Sequence, residues 1–387
     1  MLGRLVSKLL RKTGASPSAP GEQHPANGAG AMVFVASVGE PVHITTQMQL
    51  YSDHASLRLR AFAPILRIAA SRDVHLVPAS YLVANPDLAP LQPVASVMIT
   101  NFSTGEVGAE PETFDALTAS LARLRGRVRL CADMCDNYGA LGQRYGIPVL
   151  PRYQKSLGEH CLVTVPCAAL ADELAPVARH GIEIIEDPFE SPRMGVARTS
   201  PGDPIRVCWF GTVGTPNAET IVQGLEHALD ALADRAVRLD FVTHQAREAL
   251  AGDIGARLRR DRPRLAFRFV PWSLDATWRA IDESDLVLLP QDHRDGWGRV
   301  KSHNRLVEAI RGGRLAIASP IPSYLELADC AWVGEDLGAG VAWALANPAE
   351  AAARVRAGQR QIETRFAPER VADRWERVLL GKAIDAP

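Results

Sequence analysis

The sequence predicts an α/β protein of two doubly wound domains facing each other across a cleft. Three observations carry that expectation. The chain has 387 residues, too many for one ordinary hydrophobic core and enough for two. Two separate series of short apolar runs alternate with helical segments, the pattern of parallel sheets covered by helices. Between the series lies a stretch of turn formers, Asp187-Pro188-Phe189, Ser191-Pro192 and Thr199-Ser200-Pro201-Gly202-Asp203-Pro204, which reads as an interdomain linker.

Residues 1–31 form a basic segment followed by a flexible linker. Leu2, Leu5, Val6, Leu9 and Leu10 share one side of a helix, and Arg4, Lys8, Arg11 and Lys12 supply positive charge. The segment is too short and too regularly interrupted for a signal peptide. Two readings stand: a helix lying on an anionic membrane surface, or a frayed terminus or helix docked on the protein itself. Residues 13–31 are rich in Gly, Pro, Ala and Ser.

Residues 32–200 make the first domain, with strands expected at 32–37, 74–77, 95–100, 128–132, 161–165 and 182–186. Helices are expected at 56–70, 110–124 and 168–179. In the first of these Leu57, Ala61, Pro64, Ile65 and Ile68 share a face, while Pro64 implies a kink or a later start. Residues 201–365 make the second domain, with strands at 205–210, 238–243, 266–270, 286–289 and 315–319 and a helix at 218–233. Residues 366–387 are a C-terminal helix expected to cross back to the first domain. Ligands of such sheets bind at the carboxyl ends of the strands.

Composition narrows the function classes. A net charge of -1 and 6% aromatic residues argue against nucleic acid. No run approaches the ~20 apolar residues of a spanning helix, and a cytoplasmic protein is expected. Cys131, Cys135, Cys161, Cys167, Cys208 and Cys330 contain no CxxC pair and read as reduced, small hydrophobes, with no metal site. No D-x-D metal motif, P-loop or cofactor signature is present, so no cofactor is expected.

The chemistry concentrates between Leu286 and Glu326. An apolar strand ends at Pro290 in a polar loop containing Asp292, His293, Arg294, Asp295 and Trp297. A helix is expected to follow, with Ser302 as N-cap and Gly312-Gly313 as its stop. On it Lys301, Asn304, Arg305 and Glu308 form one polar stripe, opposite Leu306, Ala309 and Ile310. A helix start with free N–H groups, a Lys and an Arg suits a diphosphate, and Glu308 suits a ribose diol. A solvated face with an internal Arg305–Glu308 ion pair explains the same spacing equally well. A second piece, Phe210-Gly211-Thr212-Val213-Gly214-Thr215-Pro216-Asn217, follows the first strand of this domain. There Gly211 and Gly214 admit close backbone approach, and Thr215 and Pro216 suit N-cap and N1.

The pieces Leu288-Leu289-Pro290, Lys301-Ser302-x-Asn304-Arg305-Leu306-x-Glu308-Ala309, Gly313, Ala318-Ser319 and Pro322-Ser323-Tyr324-x-Glu326 resemble one known segment. It is the donor site of retaining glycosyltransferases of the GT-B fold, in the family 4 type (glycosyl transferases group 1). The resemblance implies two Rossmann-like domains and transfer of a sugar from a nucleotide diphosphate to a glycan, lipid-linked or other acceptor hydroxyl. It implies Lys301, Ser302 and Asn304 on phosphates, Glu308 on the ribose, and Lys301 with Arg305 as the catalytic cations. One departure stands out. The family often places a sugar-facing glutamate eight residues before the ribose glutamate, and this chain has Val300 there; Asp295 is a candidate replacement. The usual Arg and Lys pair after the second strand of the domain is also absent after His244. A GT-B nucleotide-sugar epimerase or hydrolase, or a silent binding subunit, therefore remains an alternative.

The first domain gives two acceptor-side candidates. Ser56-x-Arg58-x-Arg60 resembles an element near the start of some such transferases, with Arg58 and Arg60 expected either at the cleft or as a solvated pair. Asp133 and Asp136 lie where a strand ends, suited to acceptor hydroxyls, to a base, or simply to loop capping.

Overall fold

The computed structural model describes residues 30–381 apart from 37, 39, 49, 51, 53, 101–110 and 199. The basic segment read at the N-terminus lies outside the described residues. The chain divides into two compact units, Met1–Pro188 with Pro368–Pro387, and Phe189–Ala367.

The first unit holds a seven-stranded sheet in the order β2-β3-β1-β4-β5-β6-β7. Its strands are β1 (Ala31–Val35), β2 (Val42–Ile44), β3 (Val74–Val77), β4 (Val94–Ile99), β5 (Arg129–Asp133), β6 (Leu162–Val165) and β7 (Ile182–Ile184). All pair in parallel except β2, which runs antiparallel along β3 at the edge. Continuous burial along β1 follows from its unbroken apolar run, since helices cover both faces of a parallel sheet. The short β2, with only Ile44 of its three residues buried, gives too little pattern to be read from sequence.

The expected helix at 56–70 forms over 55–68 and continues through Pro64. Residues Arg58–Phe62 wind as a wider π turn, and the Ala63 N–H reaches back to the Arg58 carbonyl. A wide turn next to a proline accommodates the ring and its missing donor. Helix Pro368–Leu380 packs its Val371, Trp375, Val378 and Leu379 into the same core as Met32, Phe34 and Ile65.

The second unit holds six parallel strands in the order β10-β9-β8-β11-β12-β13. They are β8 (Ile205–Phe210), β9 (Val237–Thr243), β10 (Leu265–Pro271), β11 (Leu286–Leu289), β12 (Leu315–Ala318) and β13 (Trp332–Val333). Renumbered within the unit this is 3-2-1-4-5-6, the order that reverses between its first and fourth strands. The reversal leaves a crevice at the carboxyl ends of β8 and β11. Stacked Trp209 and Phe241, with ring centroids 4.1 Å apart, anchor the sheet to one covering layer.

Residues 189–198 were expected in the first domain or its linker and instead belong to the second unit. The reason is a set of backbone anchors at the end of helix Asn304–Arg311. Gly195 N–H bonds the Arg311 carbonyl, Arg198 N–H bonds the Gly313 carbonyl, and Arg311 Nε holds the Ser191 carbonyl at 3.0 Å. Gly313, at φ 77, lies so close to the Val196 carbonyl that any Cβ there would collide with it.

Among the described residues no helix is long and apolar enough to cross a membrane. No disulfide joins the six cysteines; five are buried and Cys135 is half-buried, and burial pushes Cys131 up to about 11.

Candidate functional site

The loops after β8 and β11 flank the crevice where the strand order reverses, and both carry residues singled out by sequence. After β8, Gly211 takes φ 151, and its N–H bonds the Val242 carbonyl at 3.1 Å. A Cβ on Gly211 would stand 3.1 Å from Arg305 Nη1, which places the arginine tip directly against this loop. Helix Thr215–Asp230 starts three residues before the apolar pattern at 218–233 and one before the expected N1 at Pro216. Gly214, not Thr215, is its N-cap, because Asn217 Oδ1 takes the Gly214 N–H at 2.8 Å and its amide reaches the Thr212 carbonyl at 3.0 Å.

Arg305 reaches Gln291, the second residue beyond β11, whose Oε1 accepts from Nη2 at 2.5 Å. Gln291 is itself fixed, since its N–H donates to Ser319 Oγ, just beyond β12, at 2.9 Å. Thus Gly211, Arg305, Gln291 and Ser319 tie together the ends of three neighbouring strands. Gln291 was missed from sequence, although its place directly after Pro290 was a usable signal.

The helix itself corrects two expectations. It begins at Asn304, with His303 and not Ser302 as N-cap. Lys301 therefore precedes the helix and does not share its polar stripe. Its ammonium lies over the Trp297 ring, 3.8 Å from the centroid, a cation–π contact. The cause is His303, whose ring is drawn inward to Glu326, Nε2 to Oε2 3.0 Å, and is only 1% exposed. Winding starts after that anchor, and Val307 N–H makes the first helical bond to the His303 carbonyl. Lys301, Ser302 and Asn304 are half-buried, and Asn304 Nδ2 has no hydrogen-bond partner among the described residues. At the other end the helix stops at Gly312 as expected.

Glu308 is not paired with Arg305. It is 5% exposed, and its Oε1 accepts the Glu190 N–H at 2.5 Å. Burial, only partly offset by that bond, by Ser191 and by the Arg311 charge, pushes its carboxyl up to about 7. Asp295 Oδ2 takes the Gly298 N–H at 3.3 Å, capping a turn. Val300 is fully buried, so the position of the family's sugar-facing glutamate is a core position here.

In the first unit, Arg60 and Asp133 are corrected as acceptor-side candidates. Arg60 is 1% exposed and pairs with Asp133, Nη2 to Oδ1 2.6 Å, and with Asp187 at 3.3 Å. It also donates to the Ile185 carbonyl and lies 4.9 Å from the Trp375 ring centroid. Thr164 Oγ1 donates to Asp133 at 3.0 Å. The bare carboxylate expected at the end of β5 is spent inside the unit, as the seat of an arginine on the helix above it. Arg58 is buried too, its Nη1 on the Ser52 carbonyl at 2.9 Å. Asp136 lies half-buried in the bend after β5, with Cys135 Sγ 4.0 Å from its Oδ2.

Among the described residues no group of three His, Cys, Asp or Glu side chains is placed to hold a metal ion.

No sequence-family profile matches the chain, and no curated protein matches it. Its fold is matched by solved structures. Anabaena HepE in complex with UDP and glucose superposes with a TM-score of 0.61 at 14% identity, over 91% of this chain and 100% of that one. A UDP-forming α,α-trehalose-phosphate synthase from Burkholderia xenovorans gives 0.56 at 13%, over 92% and 100%. A variant of S. aureus TarM in complex with UDP gives 0.55 at 12%, over 78% of this chain and 58% of that one. The fold is the GT-B fold, with two Rossmann-like domains.

Proposed function

We propose that this chain is a glycosyltransferase that moves a sugar from a nucleoside-diphosphate donor to an acceptor hydroxyl, with the donor held by the second unit. The observation that carries it is the convergence at the β8/β11 crevice of the Gly211 loop, Arg305 and the Lys301–Asn304 helix start. HepE and TarM, whose folds match, are complexed with UDP, which makes UDP the nucleotide of first choice.

In this reading the diphosphate lies against Lys301, Ser302 and the first helical N–H groups. Charge grows on the leaving diphosphate as the glycosidic bond breaks. Cations and N–H dipoles already oriented toward it lower that barrier without reorganising. Arg305, on the first turn of the same helix, meets the same charge, and Gly211 and Gly214 let the backbone come close. Glu308 takes the ribose hydroxyls once the Glu190 N–H yields its place. The transferred sugar retains its anomeric configuration, as in the family 4 type, and the reaction needs neither metal nor cofactor. Asp136, half-buried, remains the acceptor-side candidate. The basic segment at the N-terminus serves peripheral contact with an anionic membrane.

The test is direct. UDP-glucose and UDP-N-acetylglucosamine are screened by thermal shift, where ligand at 100-fold its Kd raises stability by about 2.7 kcal/mol. Turnover is then followed as UDP release with and without simple glycoside acceptors. No shift with any nucleotide sugar sinks the proposal. Activity lost to a chelator and restored by magnesium sinks its metal-independent part.

The buried Val300 favours a second reading, a donor-binding subunit without turnover. Binding without any UDP release would establish it. UDP release without an acceptor would instead mark a hydrolase or epimerase.

A further inference from the structure

Two of the residues assigned to the diphosphate, Lys301 and Ser302, precede the helix, so helical geometry does not set their positions. Residues 301–303 form no regular structure, and something else must hold them. Two side chains of the turn after β12 do so. Ser323, fully buried, donates its hydroxyl to the Lys301 carbonyl at 2.6 Å. Three residues further on, Glu326 accepts from His303 at 3.0 Å.

Glu326 is in turn fixed by Arg365, Nη2 to Oε2 2.5 Å, and the His303 ring packs against Phe366 at 5.3 Å between centroids. Burial works against the Glu326 charge, yet His303 and Arg365 together hold its carboxyl down at about 2. The anchor is therefore an ionised, doubly bonded carboxylate at neutral pH, the stronger kind of hydrogen-bond acceptor. One bond grips the backbone of Lys301, the other the side chain of His303. The intervening Ser302 and the following Asn304 N–H are constrained from both sides.

We propose that the turn 322–326 is the positioning element of the diphosphate site, Ser323 acting through Lys301 and Glu326 acting through His303. The inference rests on the donor reading given above. Neither residue touches the donor; Ser323 holds Lys301, which does, and Glu326 holds His303, the N-cap from which the first helical N–H groups follow. Preorganised donors must sit within a few tenths of an ångström of the developing charge, and a loop held by two buried bonds meets that requirement.

The experiment compares UDP with uridine on wild type, Ser323→Ala and Glu326→Gln, by isothermal titration calorimetry, with thermal unfolding alongside. Removing one such bond should weaken UDP about 5-fold, and loss of the charged acceptor about 10-fold, on the scale of single buried hydrogen bonds. Uridine, which lacks the diphosphate, should bind all three proteins equally. That split is what a purely structural role does not produce, since general loosening weakens both ligands together. UDP affinity unchanged in both variants, or uridine falling in step with UDP, overturns the inference while leaving the donor reading intact. If Ser323→Ala fails to fold, Glu326→Gln, which keeps the side-chain shape, carries the test alone. Failure of wild type to bind UDP, GDP, ADP or TDP sinks the donor reading itself, and the inference with it.

Discussion

Arg60 in the first unit and Arg305 in the second were both read from sequence as site arginines, and the structure treats them in opposite ways. Arg60 is sealed in the interior between two carboxylates, Asp133 and Asp187. Burial opposes its charge, but those two neighbours hold it charged, above its ordinary range. Arg305 is half-buried at the carboxyl end of the sheet, and its hydrogen-bond partner is a neutral carboxamide, Gln291. An arginine already neutralised by buried carboxylates serves the fold. One held by an amide oxygen keeps a net charge with which to meet an incoming anion. The identity of the partner, not the arginine, separates structure from function.

The contrast breaks first on a matched pair of truncations. Arg60→Ala leaves Asp133 and Asp187 buried without their cation and should destabilise the first unit by about 3–5 kcal/mol in urea unfolding. Arg305→Ala should fall within about 1 kcal/mol of wild type, because its partner is neutral. Equal losses in the two variants would erase the distinction.

Glu308 lies between these extremes, a buried carboxylate only partly neutralised. Its carboxyl is raised from 4.5 to about 7, so the folded protein holds this proton more tightly than the unfolded chain does. Below about pH 4.5 the group is neutral in both states and carries no penalty. Between about pH 4.5 and 7 the unfolded chain releases the proton while the folded protein keeps it, so the penalty grows and levels off above pH 7 at about 3 kcal/mol. Glu308→Gln should therefore melt higher than wild type at pH 8, with the gap closing toward pH 4.5. A gap that is constant with pH would show that burial of the charge is not its cause. The same variant should raise donor KM about 10-fold, for one charged hydrogen bond lost to the ribose.

Next come the cations themselves. Lys301→Ala should lower kcat by roughly 100-fold, the scale of losing one preorganised stabiliser of growing charge. Its circular dichroism should match wild type, since Lys301 precedes the helix and its loss removes no helical residue. Wild-type turnover in this variant would move the diphosphate site elsewhere. The smallest effect concerns the basic N-terminal segment. A chain starting at Ala31 should bind anionic vesicles more weakly than the full chain at low salt, with the difference fading by about 0.15 M. Equal binding would remove the membrane contact from the proposal.

The sequence by itself determined the alternation of strands and helices. β3, β8 and β11 form over the residues that the apolar runs mark, because strand and helix periodicities are written in neighbouring residues. It also determined the stop at Gly312-Gly313, where glycine freedom is a local property. Only the tertiary structure decided what the polar side chains do. His303 could not be seen as the N-cap, because its anchor Glu326 lies 23 residues away. Arg60 could not be seen as buried, because Asp133 lies 73 residues away. The β2 edge strand and the attachment of 189–198 to the second unit likewise depend on partners distant in the chain. Backbone conformation follows from the local sterics and spacing of successive residues. The role of a charge follows from which opposite charge the fold brings within about 4 Å of it, and no local pattern encodes that.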